Sequence, residues 1–389
     1  MYLTKEEERI LDGEEGEAKR IALEILVKVG EALGAEKLIN ISHAHASGIS
    51  YRNIGDAGLD FIEKLYLNGG RTSVFSTYNP VGTPLGLNDV PKELLQDYDK
   101  QLKIMNYLHG MGFKFTATCL PYEVRAPKLE EHLAWGESSA ILVANSLYGA
   151  RTNREGGPLA LAAAITGKTY YWGQHTPEGR LLRLVIKAPK PRDEVEYGVL
   201  GYIIGLTGET NVYIDLGKGH HRRDLISLCA AAGASGSTTF IYINGVTPGK
   251  PQMEKNVERI ILDYKDYKTV LDRLSNIDVE DAEVAYIGCP HLNEMSLNRI
   301  LCYLVGRKPR KPLYIGVPGY LMKKYHNLAK RLAKRNIMLV MGSCIVVSWI
   351  DKIYKNVLTN SVKAAHYLLK RGVNVALTSL ENILKYLLR

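Results

Sequence analysis

The spacing of apolar residues changes character repeatedly along the chain. Residues 17–33 place apolar side chains at a 3.6-residue interval and stop at Gly34, which predicts an amphipathic helix closed by a glycine. Thr4 followed by Glu7 predicts a capping box that opens an earlier helix. Short apolar runs at 37–41, 114–118, 140–144, 284–287, 313–317 and 337–341 read as strands. Helical patterns stand between them, among them 159–165 and 224–232. That alternation predicts an α/β fold with mainly parallel sheets. Polar stretches at 187–196 and 265–281 are weak boundaries, and the chain is divided into three interlocked α/β lobes, approximately 1–130, 131–270 and 271–389.

With 389 residues, 46% of them hydrophobic and 23% charged, the chain can bury a large core. It has no run of eighteen apolar residues, and its first residues, Met1-Tyr2-Leu3-Thr4-Lys5-Glu6, are charged where a signal peptide is apolar. A cytoplasmic protein with no membrane partner is expected. The net charge of +9 and pI of about 9.1 favour anionic partners. The one dense basic run, 218–223, leads into helix 224–232 without interleaved aromatics, so it reads as a solvated helix start and no nucleic-acid partner is expected. Residues 162–169 resemble a phosphate loop, but Ala162 replaces its first glycine, and Gly167-Lys168-Thr169 ends a helix instead of opening one. Gly233-Ala234-Ser235-Gly236 lacks the dinucleotide fingerprint.

Five cysteines, an odd number spread singly, argue against a disulfide scaffold. Cys119, Cys289 and Cys344 each follow an apolar strand-like run and sit on the turn beyond it. In open α/β sheets, loops at that edge converge on a crevice. Three thiols meeting there could hold a four-iron cluster, leaving one iron open as a Lewis acid for a substrate hydroxyl. Three buried structural thiols fit the spacing equally well. Zinc is disfavoured because no close Cys or His pair completes a tetrahedral set. Cys229 and Cys302 lie inside helical patterns and read as core.

Several polar motifs stand where a substrate could be held. Asn145-Ser146 and Arg151-Thr152-Asn153-Arg154 follow the presumed strand 140–144 and precede helix 159–165, whose free N–H groups, with two guanidinium forks, suit an anion. Glu137-Ser138-Ser139 is either a helix cap or part of a site. His43 and His45 could ligate metal if extended, although loop histidines are more often hydrogen-bonded structural groups. The turn Gly48-Ile49-Ser50, the pair Asn79-Pro80 and the segment 359–363 ending at Lys363 are individually weaker.

At these residues the chain resembles the aconitase X family, nearly from end to end. The resemblance rests on Leu3-Thr4-Lys5-Glu6-Glu7, Ser47-Gly48-Ile49-Ser50-Tyr51, Thr77-Tyr78-Asn79-Pro80, Glu137-Ser138-Ser139-Ala140, Asn145-Ser146, Gly149-Ala150-Arg151-Thr152-Asn153-Arg154, Gly288-Cys289-Pro290-His291, and Thr359-Asn360-Ser361 with Lys363. It implies lobes like aconitase domains one to three, with the swivelling domain absent and expected on a separate small subunit. It implies a 4Fe-4S cluster held by Cys119, Cys289 and Cys344. Substrate contacts would come from Gly48, Ile49, Ser50, Asn79, Pro80, Glu137, Ser138, Ser139, Asn145, Ser146, Arg151, Asn153, Arg154 and Lys363. No catalytic base is identified, and the small subunit is its candidate source. The implied reaction is dehydration of the phosphorylated hydroxy acid (R)-5-phosphomevalonate to trans-anhydromevalonate 5-phosphate, in a mevalonate route to isoprenoids. The alternatives are a 3-hydroxyproline dehydratase of the same family and a cluster-free binding or scaffold subunit.

Overall fold

The capping box forms as expected. Thr4 N–H donates to Glu7 Oε2 at 2.8 Å and Glu7 N–H donates to Thr4 Oγ1 at 3.3 Å, opening helix Lys5–Leu11. Helix Glu17–Ala32 follows and buries Leu23 and Leu26. The computed structural model describes residues 1–85, 92–95 and 97–388. Among the described residues the strands form three parallel sheets and one antiparallel pair. The first sheet sets Phe75–Tyr78, His43–Ala46 and Ala134–Trp135 side by side. The second orders Phe240–Ile243, Asn211–Asp215, Leu182–Lys187 and Met253–Ile261. The third orders Ile337–Met341, Leu313–Val317, Val284–Ile287, Asn356–Thr359 and Asn374–Leu377. Among the described residues no helix is long and apolar enough to cross a membrane.

One cluster of buried side chains touches all three parallel sheets. It joins Trp135 of the first, Leu184 and Ile214 of the second, and Val284 and Val357 of the third. The lobes are therefore interlocked, as the alternation of elements implied.

Two expected strands are not strands. Residues 140–144 belong to helix Ser138–Val143 and the π-turn after it, and Ala140, Ile141, Leu142 and Val143 are all fully buried. A short run that is apolar on every side has no period, so a buried helix and a buried strand read alike. The Glu137 carboxylate decides between them by accepting from Ser139 N–H as the helix cap. Residues 114–118 run beside Phe75–Tyr78 without joining its ladder. The Thr116 hydroxyl takes the ladder position, accepting from Tyr78 N–H and donating to Tyr78 C=O, each at 2.9 Å. Lys114 N–H donates to Ser76 C=O at 2.9 Å and Thr118 N–H to Tyr78 C=O at 3.1 Å, but Ala117 between them turns to φ +40° and breaks the regular strand. Conversely, His43–Ala46, expected as loop, is the central strand of the first sheet.

Candidate functional site

The three cysteines arrive from different parts of the fold. Cys289 and Cys344 follow strands Val284–Ile287 and Ile337–Met341, as their sequence context predicts, while Cys119 ends the irregular segment 114–118. The Cys344 turn is tied down locally: Ser348 N–H donates to Cys344 C=O at 3.0 Å, and Ile345 N–H donates to the Tyr286 hydroxyl at 3.2 Å. His291 N–H donates to Cys119 Sγ at 3.3 Å. Burial pushes the Cys289 thiol up to about 12 and lifts Cys119 and Cys344 as well, and the charge of Cys344 raises both other thiols further. The thiols thus share one low-dielectric space.

Cys229 is fully buried, as expected of a core residue. Cys302 is not core: it is exposed on helix Glu294–Leu304, whose buried side is taken by Leu297, Ile300 and Leu304. Among the described residues no three His, Cys, Asp or Glu side chains are gathered as a metal-ion site. A cluster asks for something different, since each thiolate binds its own iron and need not close on a common point. Two buried polar atoms beside the cysteines have no partner among the described residues, Ser343 Oγ and His291 Nδ1. Three thiols from three turns, flanked by unsatisfied polar atoms, have the donor chemistry a cluster requires.

Lys363 and Glu137 form the electrostatic centre. Lys363, at the start of helix Val362–Leu369, pairs with Glu137 at the cap of helix Ser138–Val143, their side chains only 7% and 11% exposed. Burial alone would raise the Glu137 carboxyl. The Lys363 ammonium, the Asn79 amide and the Ser139 N–H outweigh burial and bring it down to about 2. Burial alone would lower Lys363, and the Glu137 charge holds it above the ordinary lysine value instead. Both groups are therefore ionised at neutral pH. Glu137 accepts from Asn79 Nδ2 at 2.8 Å, Ser139 Oγ at 3.2 Å, Ser139 N–H at 3.3 Å, Ser138 Oγ at 3.4 Å and Lys363 Nζ. Lys363 Nζ also donates to Ser138 Oγ at 3.3 Å, which leaves one ammonium proton free.

The expected site residues divide into three groups. Glu137, Ser138, Ser139, Asn79 and Lys363 are brought together, with Pro80 next to Asn79. Lys363 and Glu137 both act on the thiols electrostatically. Ser50 caps helix Tyr51–Leu67, and its buried hydroxyl has no partner among the described residues. Gly48 adopts φ +64°, and Gly157, at the start of helix Gly157–Thr166, lies against it; a Cβ on Gly157 would come within 2.9 Å of Ser47 C=O. The turn Gly48-Ile49-Ser50 is thus seated on that helix end.

The remaining residues bond mostly to backbone, and Arg151 also to a carboxylate. Asn145 donates to Thr152 C=O and Thr239 C=O, each at 2.9 Å, and accepts from Thr152 N–H. Ser146 Oγ accepts from Ile241 N–H, and the Asn153 amide holds Trp172 C=O and Gln174 N–H. Arg151 Nε donates to Glu130 at 2.6 Å and its Nη1 to His175 C=O at 3.3 Å. Arg154 spans Gly233 C=O at 2.8 Å and Gly236 C=O at 3.0 Å, at the C-terminal end of helix Arg222–Ser235. The loop also does not follow a strand, because helix Ser138–Val143 and the π-turn Ala144–Tyr148 precede it.

Sequence reasoning passed over the hydrogen bonds that back this site. His43 Nε2 and His45 Nδ1 each lie 2.8 Å from Thr77 Oγ1, and His45 Nε2 lies 3.4 Å from Asn79 Oδ1. The available signal was two histidines at i, i+2 opposite Thr77 and Asn79, also at i, i+2. Cys289 also borders a crevice of about 420 Å³ lined by Tyr122, His221, Arg222, Arg223, Arg299 and Asn360.

Comparison with known proteins covers the chain almost completely. Residues 1–178 match the aconitase X first domain, 182–272 the second domain and 282–389 the third. The phosphomevalonate dehydratase large subunit of Aeropyrum pernix is 40% identical over 99% of each chain, and that of Thermococcus kodakarensis 38% identical over 99% of each. The cis-3-hydroxy-L-proline dehydratase of Hypocrea jecorina is 28% identical over 94% of this chain and 65% of its own length. The crystal structure of Thermococcus kodakaraensis aconitase X in its holo-form superposes with a TM-score of 0.90 at 37% identity, covering 100% of both chains.

Proposed function

The chain belongs to the aconitase X family, and from that premise we propose that it is the large, catalytic subunit of a hydro-lyase that dehydrates (R)-5-phosphomevalonate to trans-anhydromevalonate 5-phosphate. Identities of 36–40% with five phosphomevalonate dehydratase large subunits, against 28% and 32% with two hydroxyproline dehydratases, favour this substrate. The observation that carries the reading is the ionised Lys363–Glu137 pair buried beside three thiols.

Cys119, Cys289 and Cys344 would hold a 4Fe-4S cluster. When bound, such a cluster supplies an open iron whose Lewis acidity helps the hydroxyl leave. The protein's own residues do the rest. Lys363 offers its remaining proton to a substrate oxygen and stabilises negative charge there. Asn79 and the hydroxyls of Ser138 and Ser139 hold Glu137 in place while Glu137 keeps Lys363 charged. Glu137 already accepts from five donors, so it is a poor base. Proton abstraction is left to a group carried by a small subunit, a partner in keeping with the large-subunit names of the relatives. The crevice lined by His221, Arg222, Arg223 and Arg299 beside Cys289 adds positive charge that suits a phosphorylated acid.

The test is anaerobic co-purification with the small subunit, followed by parallel assays on (R)-5-phosphomevalonate and cis-3-hydroxy-L-proline. Loss of water from the phosphorylated acid is expected. Turnover of the hydroxyproline alone, or of neither compound by a cluster-loaded complex, would overturn the proposal.

A further inference from the structure

Behind Glu137 lies a buried chain of hydrogen bonds whose direction can be worked out completely. Glu137 is ionised and can only accept, so the Asn79 amide must present Nδ2–H to it and Oδ1 to the other side. Asn79 Oδ1 can only accept, so His45 Nε2 must carry a proton toward it. Burial keeps the His45 ring neutral, which makes its Nδ1 an acceptor. The Thr77 hydroxyl, 2.8 Å from that Nδ1, must therefore donate to it. Having spent its one proton, Thr77 must accept from His43 Nε2, also at 2.8 Å. His43 Nδ1 is then a bare acceptor, and it is a buried atom without a partner among the described residues.

We propose that His45 is a positioning residue of the active site, fixed by Thr77 and His43 in the Nε2–H tautomer so that it holds the Asn79 amide in the orientation that donates to Glu137. The inference rests on the proposed function for its catalytic consequence, but not for its chemistry. Both histidines and Thr77 are fully buried in the first sheet, so the relay touches no substrate. Its effect reaches the reaction only through Asn79. Without the His45 proton, the amide is held in that orientation from the Glu137 side alone, and its oxygen is left without a donor.

Two substitutions at one position separate positioning from packing. The Asn amide reaches the position of imidazole Nδ1, where its oxygen can accept from Thr77, and the Gln amide reaches that of Nε2, where its nitrogen can donate to Asn79. His45→Gln can keep the donor to Asn79, whereas His45→Asn keeps only the contact with Thr77. In the complex with the small subunit, His45→Asn should lose roughly tenfold in kcat/KM, the scale of one hydrogen bond to a charged network, while His45→Gln recovers most of it. Equal losses in both variants, or no loss in either, would overturn the proposal. A second measurement does not depend on variants that turn over: ¹⁵N-histidine spectra of the wild-type chain, with the His45 signal assigned from its absence in His45→Gln, should display the Nε2–H form. An Nδ1–H signal at His45 would overturn the relay. If the wild-type complex does not dehydrate (R)-5-phosphomevalonate, the functional reading fails, and the tautomer still decides the relay.

Discussion

Lys363 and Glu137 stand 226 residues apart in the chain and meet as a buried ion pair. Two helix starts deliver them, one from the first parallel sheet's neighbourhood and one from the third sheet, so the pair also joins two parts of the fold. Removing one partner leaves the other charge buried without compensation.

Glu137→Gln or Lys363→Met alone should therefore cost about 3–5 kcal/mol in urea unfolding, and the double variant should recover part of that loss. Near-additive losses in the three variants would mean that each group is held independently by its other hydrogen bonds. All three should lose dehydratase activity, since none keeps a charged Lys363 beside an ionised Glu137.

Anaerobic reconstitution with iron and sulfide should give a brown, oxygen-sensitive protein. Alanine at Cys119, Cys289 or Cys344 should abolish the colour, and alanine at Cys229 or Cys302 should not. The exposed thiol of Cys302 should alkylate readily in the native protein while Cys229, fully buried, stays protected. A wild-type chain that stays colourless and metal-free after reconstitution would remove the cluster from the proposal.

Glu155 predicts a pH dependence of stability that has nothing to do with the site. Burial raises its carboxyl to about 7, against which the hydroxyls of Tyr170 and Thr169 act only in part. The folded state therefore keeps a proton that the unfolded state releases at its ordinary carboxylate value near 4.5. Stability from this group is fully present below that value and is lost as pH rises through about 7. The loss should be on the order of 3 kcal/mol. Glu155→Gln, which mimics the protonated form, should gain on wild type in thermal stability between pH 5 and pH 8; parallel curves would exclude the effect.

Much of this architecture was written locally and could be read. The Thr4–Glu7 capping box needs only three residues' separation, and the turns after Val284–Ile287 and Ile337–Met341 announce Cys289 and Cys344 by the apolar runs before them. What could not be read locally was of two kinds. Residues 140–144 are buried on all sides, so no periodicity distinguishes helix from strand; the deciding bond is the Glu137 cap. Arg154 also reaches the carbonyls of Gly233 and Gly236, some eighty residues away, a meeting that no local pattern announces. His45 was legible only as a metal-ligand or structural candidate for a related reason: its hydrogen-bonding partner depends on strand pairing with Thr77.

The buried cluster that joins Trp135, Ile214 and Val357 has a consequence for how a local disturbance spreads. Each wall of the site rests on the same packed interior, and close-packed interiors transmit displacement instead of absorbing it. A loosening at one thiol would disturb the packing under the other two. The chain thus acts as an anvil, rigid beneath its three cysteines.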